Sequence, residues 1–318
     1  MSRLAWAAPA IALVLAGCAG TGPEVTHAFT RQSGTPDPAT RSTAAAPAVS
    51  STARGTSAPP ARTAPSRSSH ADRRNGSSPT AVPVASGGGP GRFPPTAGGP
   101  LDGKVVLVDP GHNGGNASAP SIINRLIWNG RESETCDTTG TQTDSGYTEA
   151  QFNWNVALNL TADLRAEGAT VVLTRTSNTG VGPCVTRRAA IGNSVHASAG
   201  VSIHADGGPP SGRGFAILEP VADGTNNAIV GPSASLGSDL RSAFAAGTGE
   251  PVSSYDGVDG IQPRNDLGGI NLSTIPKVFV ECANMRNATD AGLVTSPAWQ
   301  ARAARAIAAG LTTFLTAR

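Results

Sequence analysis

The sequence predicts a single α/β domain over residues 101–318, a mostly parallel sheet covered on both faces by helices. Three observations predict it. Short, apolar, β-branched runs at 104–109, 170–174, 201–204, 214–218 and 277–281 alternate with longer segments of helical periodicity, the pattern of strands joined by crossover helices. The first and third runs each deliver a histidine at the C-terminal tip, His112 after a Pro-Gly turn and His204 directly. Active sites of open α/β sheets are built at that end of the strands. The length suits one hydrophobic core and is too short to favour two.

The first 100 residues have a different composition. Arg3 precedes an apolar segment over 4–15 that is too short to span a bilayer. It ends in Leu15-Ala16-Gly17-Cys18 and reads as a secretory signal over 1–17. The small residues before the cysteine resemble a bacterial lipobox, which implies cleavage before Cys18 and a lipid on its thiol. Two or more acyl chains are needed for firm anchoring. Residues 18–100 are rich in Ser, Thr, Pro, Ala, Gly and Arg, with no periodicity. Such a segment cannot bury enough surface to offset its ordering entropy and is expected to be a disordered tether. It carries eight arginines against Glu24, Asp37 and Asp72, whereas residues from 101 onward hold fifteen basic and nineteen acidic side chains. The near-neutral total of +2 therefore hides a basic tether, suited to anionic wall polymers or headgroups as well as to solubility. The acidic, aromatic-poor folded part argues against nucleic-acid binding.

Within the folded part, the strand at 104–109 leads into Asp109-Pro-Gly-His112, followed by a Gly/Thr-rich stretch over 113–147 that carries Glu132, Glu134, Cys136 and Asp137. A helix follows. Phe152, Val156, Leu160 and Leu164 recur at i+4, and Thr148-Glu-Ala-Gln151 matches a capping box. Further helices are expected over 187–196, 233–246 and 297–317, the last with Ser296 as N-cap and Pro297 at its first position. The Gly/Ser/Asn stretch at 221–235 fits a lid, an inhibitory segment or a plain loop. Cys282 lies inside an apolar strand and is expected to be a buried, inert thiol. Cys136 and Cys184 lie in loops and would oxidise outside the cytoplasm, pairing through Cys282 being the alternative. The closed loop would stabilise the domain by up to ~4 kcal/mol.

Catalytic zinc takes three protein ligands and leaves a position open for water. His112 and His204 project from strand ends, and Glu149 sits at the first position of a helix, where the backbone fixes a carboxylate in space. Glu281 ends another strand and supplies a base. The separations are far too long for a local metal motif, so the fold must assemble the site. Glu132 or Glu134 could replace Glu149, although a Gly/Thr-rich loop holds a carboxylate less firmly. Asp109 and Asp206 are candidates for accepting imidazole N–H groups, or for capping the strand-end turns.

The combination Asp109-Pro-Gly-His112, the Glu149 helix, Ser202-Ile-His204-Ala-Asp206 and Val280-Glu281 resembles zinc-dependent N-acetylmuramoyl-L-alanine amidases of the amidase-3 family. Arg187, Arg188, Asn193 and the run Arg264-Asn-Asp-Leu267 fit as well. The resemblance covers essentially all of 101–318 and implies a mixed, mainly parallel sheet. It also implies zinc (Zn2+) held by His112, Glu149 and His204, and Glu281 as the catalytic carboxylate. The long stretch after His112 looks like that of actinobacterial single-domain amidases, in which a disulfide pins it. Asn113, Asn284 and Arg286 are candidate substrate contacts, the arginine because stem peptides carry carboxylates. The implied protein is an exported, monomeric peptidoglycan hydrolase, lipid-anchored to the outer face of the cytoplasmic membrane and active in cell-wall remodelling. A zinc peptidase of the stem peptide and an inactive peptidoglycan-binding scaffold are the rival expectations.

Overall fold

The computed structural model describes residues 89–317. The expected leader, Cys18 and most of the expected tether lie outside the described residues. In chain order the elements are β1 (Gly91–Phe93), β2 (Val105–Pro110), α1 (Pro120–Ile123), β3 (Leu126–Trp128), β4 (Ser133–Thr135), α2 (Glu149–Ala166), β5 (Thr170–Leu173), α3 (Val185–Ser194), β6 (Ala199–Asp206), β7 (Ala216–Pro220), α4 (Val230–Thr248), β8 (Ile261–Arg264), α5 (Gly268–Asn271), β9 (Lys277–Asn284), α6 (Ala288–Val294) and α7 (Pro297–Thr316). Seven strands form one sheet in the order β1-β5-β2-β6-β9-β7-β8, and β3-β4 form a separate hairpin. The sheet is parallel from β5 to β9 and antiparallel at the β1–β5 and β9–β7 junctions. It is therefore mixed and mainly parallel, as expected.

Side-chain alternation on the central strands builds the site. Val106 and Val108 of β2, Val201, Ile203 and Ala205 of β6, and Val278, Val280 and Cys282 of β9 point into the main core, where they meet α2, α4 and α7. The intervening residues face the side covered by α3. They are Asp109 on β2, Ser202 and His204 on β6, and Lys277, Phe279 and Glu281 on β9. One face is thus a core and the other carries chemistry. Helix α2 starts on Thr148, whose side chain accepts the Gln151 N–H, and buries Phe152, Val156, Leu160 and Leu164 completely. The capping box is one-sided, because the Gln151 amide donates to Asn155 and accepts from Asn178 instead. Ser296 caps α7 with Pro297 in its first turn.

Three features differ from the expectations. The edge strand β1 pairs with β5, which draws part of the Pro/Gly-rich stretch ahead of residue 101 into the sheet; Phe93 packs against the main core. The outer strand β8 was hidden because it is short, contains Pro263 and is only half buried, a pattern permitted at a sheet edge. In the stretch at 221–235 a turn closed by Asn226 against Val221 leads through a single 3-10 turn at Asn227–Ile229 into α4, which begins at Val230, and the stretch lines neither cavity of the site below.

Candidate metal centre and catalytic cleft

His112 follows the C-terminal end of β2 and adopts a left-handed backbone conformation, φ 55°, uncommon for a residue with a side chain. The turn is possible because Arg188 donates to the His112 carbonyl at 2.9 Å and to that of Pro110 at 2.7 Å. Gly111 is required here for close approach, since a Cβ would collide with the His204 ring. His204 and Glu281 are neighbours in register on β6 and β9, so they stand side by side on one face. Phe279 stacks on the His204 ring at 4.9 Å between centroids.

These elements bring His112, Glu149 and His204 together, with one ligand atom from each within 4.8 Å of the others. Glu149 Oε1 lies 3.1 Å from His112 Nε2 and 2.9 Å from His204 Nδ1. Its other oxygen accepts the Thr141 N–H at 2.9 Å. On the far side of the His112 ring, Nδ1 lies 3.1 Å from the Thr138 carbonyl and 3.4 Å from Asp137. Burial alone would raise the Glu149 pKa, but the two imidazoles hold it well below the usual carboxylate range. Burial opposes charge on His112, yet Glu149 and Asp137 lift its pKa to about 10. Burial keeps His204 below its ordinary value. Two imidazoles and one carboxylate at mutual ligating distance are a donor set that suits zinc. Glu281 adds a buried oxygen, Oε2, without a hydrogen-bond partner. Burial, then the charges of Glu149 and Asp206, push its pKa well above normal.

The remaining candidates make the following contacts. Asp109 touches neither imidazole. It is buried and receives Arg188 at 2.9 Å, Lys277 at 2.8 Å, and Ser202 and Thr174 at 2.7 Å each. Asp206 closes its own turn by accepting the Gly207 N–H. The acceptor beside His112 is Asp137, which composition did not single out. Asn113 is buried between Asp137 and Arg188, and Asn284 holds the carbonyls of Pro209 and Gly212. Arg286 pairs with Asp144 at the surface. None of these three lines the two cavities that flank the metal residues. The guanidinium that does line the cleft, beside Glu281, is Arg264, held by two 2.7 Å bonds to Asp266. Glu132 and Glu134 stand outside the three-residue cluster. Cys136 and Cys184 form a disulfide, and Cys282 is a buried free thiol.

The Amidase_3 family, described as N-acetylmuramoyl-L-alanine amidase, matches residues 106–313. The N-acetylmuramoyl-L-alanine amidase Rv3717 of Mycobacterium tuberculosis is 40% identical over 216 residues, 68% of this chain and 88% of that protein. The crystal structure of the N-acetylmuramyl-L-alanine amidase Ami1 from Mycobacterium smegmatis shares 41% identity, with 69% of this chain and 99% of that one aligned at a TM-score of 0.65. For the apo form of Ami1 from Mycobacterium abscessus the values are 39%, 68%, 100% and 0.64. An amidase structure from Clostridium difficile 630, 19% identical at a TM-score of 0.52, shares the fold. The family match, the identity to amidases along nearly their whole length and the shared fold agree: this chain belongs to the N-acetylmuramoyl-L-alanine amidase family Amidase_3 and is an amide hydrolase of peptidoglycan.

Proposed function

We propose that the amidase is zinc-dependent, with His112, Glu149 and His204 as metal ligands and Glu281 as the catalytic carboxylate. It cleaves the amide between the lactyl group of N-acetylmuramic acid and the L-alanine of the stem peptide during cell-wall remodelling. The observation that carries this is the three-residue cluster within 4.8 Å beside an unpartnered, buried Glu281 oxygen. The chemistry zinc supplies when bound is polarisation of a carbonyl and acidification of water. Glu281 takes the proton of the attacking water. As the C–N bond breaks, it passes that proton to the departing alanine nitrogen, leaving a muramic carboxylate and a free amino terminus. Thr138 and Asp137 fix the His112 ring, and Phe279 fixes that of His204. Arg264 lines the cleft, and stem-peptide carboxylates would meet its guanidinium in competition with Asp266.

Export and anchoring belong to the same proposal. The Leu15-Ala16-Gly17-Cys18 run supports a lipid at Cys18, and the composition of 18–100 supports a tether that reaches into the wall. No helix among the described residues is long and apolar enough to cross a membrane. Mass spectrometry of digested peptidoglycan tests the reaction. Free glycan and intact stem peptides are expected from the wild type, and nothing from Glu281→Gln, which loses a general base worth on the order of 10²–10⁴-fold. Shortened stems still attached to sugar would assign a peptidase, and no product from the wild type a scaffold.

A further inference from the structure

A second cavity, of about 150 Å3, adjoins the catalytic cleft and shares His112, His204, Leu267 and Phe279 with it, so one substrate can occupy both. Its walls include Val185, Leu267 and Phe279, and Glu134 lines it as well. The other two carboxylates on this cavity are neutralised: Asp109 by Arg188 and Lys277, and Asp137 by Arg188. Glu134 has no cation within ion-pair distance among the described residues. Its Oε1 accepts the Gly268 N–H at 3.1 Å. Burial pushes its pKa up, the mark of a carboxylate short of compensating charge. Both walls are fixed in place. Glu134 lies on β4, two residues before Cys136, whose disulfide partner Cys184 is the N-cap of α3 and precedes Val185. The Val185 N–H also donates to the Cys136 carbonyl at 2.9 Å.

We propose that this cavity is a specificity subsite that receives the side chain of the stem peptide's diamino acid, the aliphatic part against Val185, Leu267 and Phe279 and the ammonium on Glu134. The proposal rests on the assignment of the cleft as a stem-peptide amidase site. An aliphatic chain ending in a cation satisfies apolar walls and a lone acid together. A purely apolar side chain would leave the carboxylate desolvated without a partner, and an acidic one would be repelled.

The test compares two synthetic muramoyl peptides that differ only at the diamino position, one carrying lysine and the other norleucine. Both are assayed on the zinc-loaded full chain. The wild type is expected to prefer the lysine peptide in kcat/KM on the order of 10- to 100-fold, the range of a charge-assisted hydrogen bond. Glu134→Gln is expected to bring the ratio close to one. Because both peptides are measured on the same preparation, the ratio is insensitive to a fraction of misfolded protein. Equal efficiency of the wild type on the two peptides, or an undiminished preference in Glu134→Gln, overturns the proposal. If the wild type cleaves neither peptide at the muramoyl–alanine bond, the amidase assignment itself fails, and this proposal with it.

Discussion

Arg188 is the side chain whose loss the fold should feel most sharply. It is almost fully buried, 3% exposed, and makes six hydrogen-bonded contacts: to Asp109, Asp137, Asn113 and the carbonyls of Pro183, Pro110 and His112. Arg188→Met removes one of the two cations paired with Asp109, leaving Lys277, and leaves Asp137 with the His112 ring alone. Breaking a buried ion pair from one side costs about 3–5 kcal/mol. For a domain of this size each kcal/mol lowers the melting temperature by roughly 2–4 °C, so a fall of about 6–20 °C is expected on that scale. Calorimetry of the metal-free and zinc-loaded proteins reads it. Zinc affinity should fall as well, because the His112 carbonyl loses the donor that holds its left-handed turn. Arg188→Lys should not restore either property, since one ammonium cannot replace a planar fork shared between two acids and three carbonyls. A shift under about 2 °C in both forms, well below the range expected for a broken buried pair, would refute the claim that this network supports the site.

Two further outcomes follow from the same region. Burial opposes the Asp109 charge, but Lys277 and Arg188 hold its folded pKa well below the ordinary value. Its contribution to stability is complete above the unfolded pKa of about 3.9 and is lost as pH falls towards the folded value. The melting temperature of the wild type should therefore drop below about pH 4, and less steeply in Asp109→Asn; parallel profiles would contradict this. Replacing Cys136 and Cys184 by serine opens a link across 48 residues, worth ~4 kcal/mol on the chain-entropy estimate. Guanidinium unfolding of the two proteins should show it, and equal midpoints would mean that the bond constrains nothing.

The central strands were legible because each is a short apolar run buried on both faces, and α2 because four residues at i+4 bury completely. Strands β1 and β8 escaped notice: one lies in a compositionally biased stretch and the other carries a proline at an edge. His112, Glu149, His204 and Glu281 could be picked out because each stands at an element boundary. Their supporting residues could not. Asp109 meets Arg188 and Lys277 across 79 and 168 residues of chain, and nothing local marks such partners. Asp137 looked like one loop acid among several until the β3–β4 segment was seen folded against α3. For Asn113, Asn284 and Arg286, position along the chain does not reveal that one buried amide bridges Asp137 and Arg188, that the other holds two backbone carbonyls, or that the arginine pairs with Asp144 at the surface.

The most direct test of the account is the zinc content of purified protein after reconstitution and removal of free metal, read by elemental mass spectrometry. The wild type and Glu132→Ala are expected to retain about one zinc per chain, the stoichiometry of a single three-ligand site. Glu149→Ala and His204→Ala are expected to retain almost none while keeping their circular dichroism spectra. A wild type without zinc, or a folded Glu149→Ala that holds it as firmly as the wild type, would contradict the metal centre on which the proposed chemistry depends.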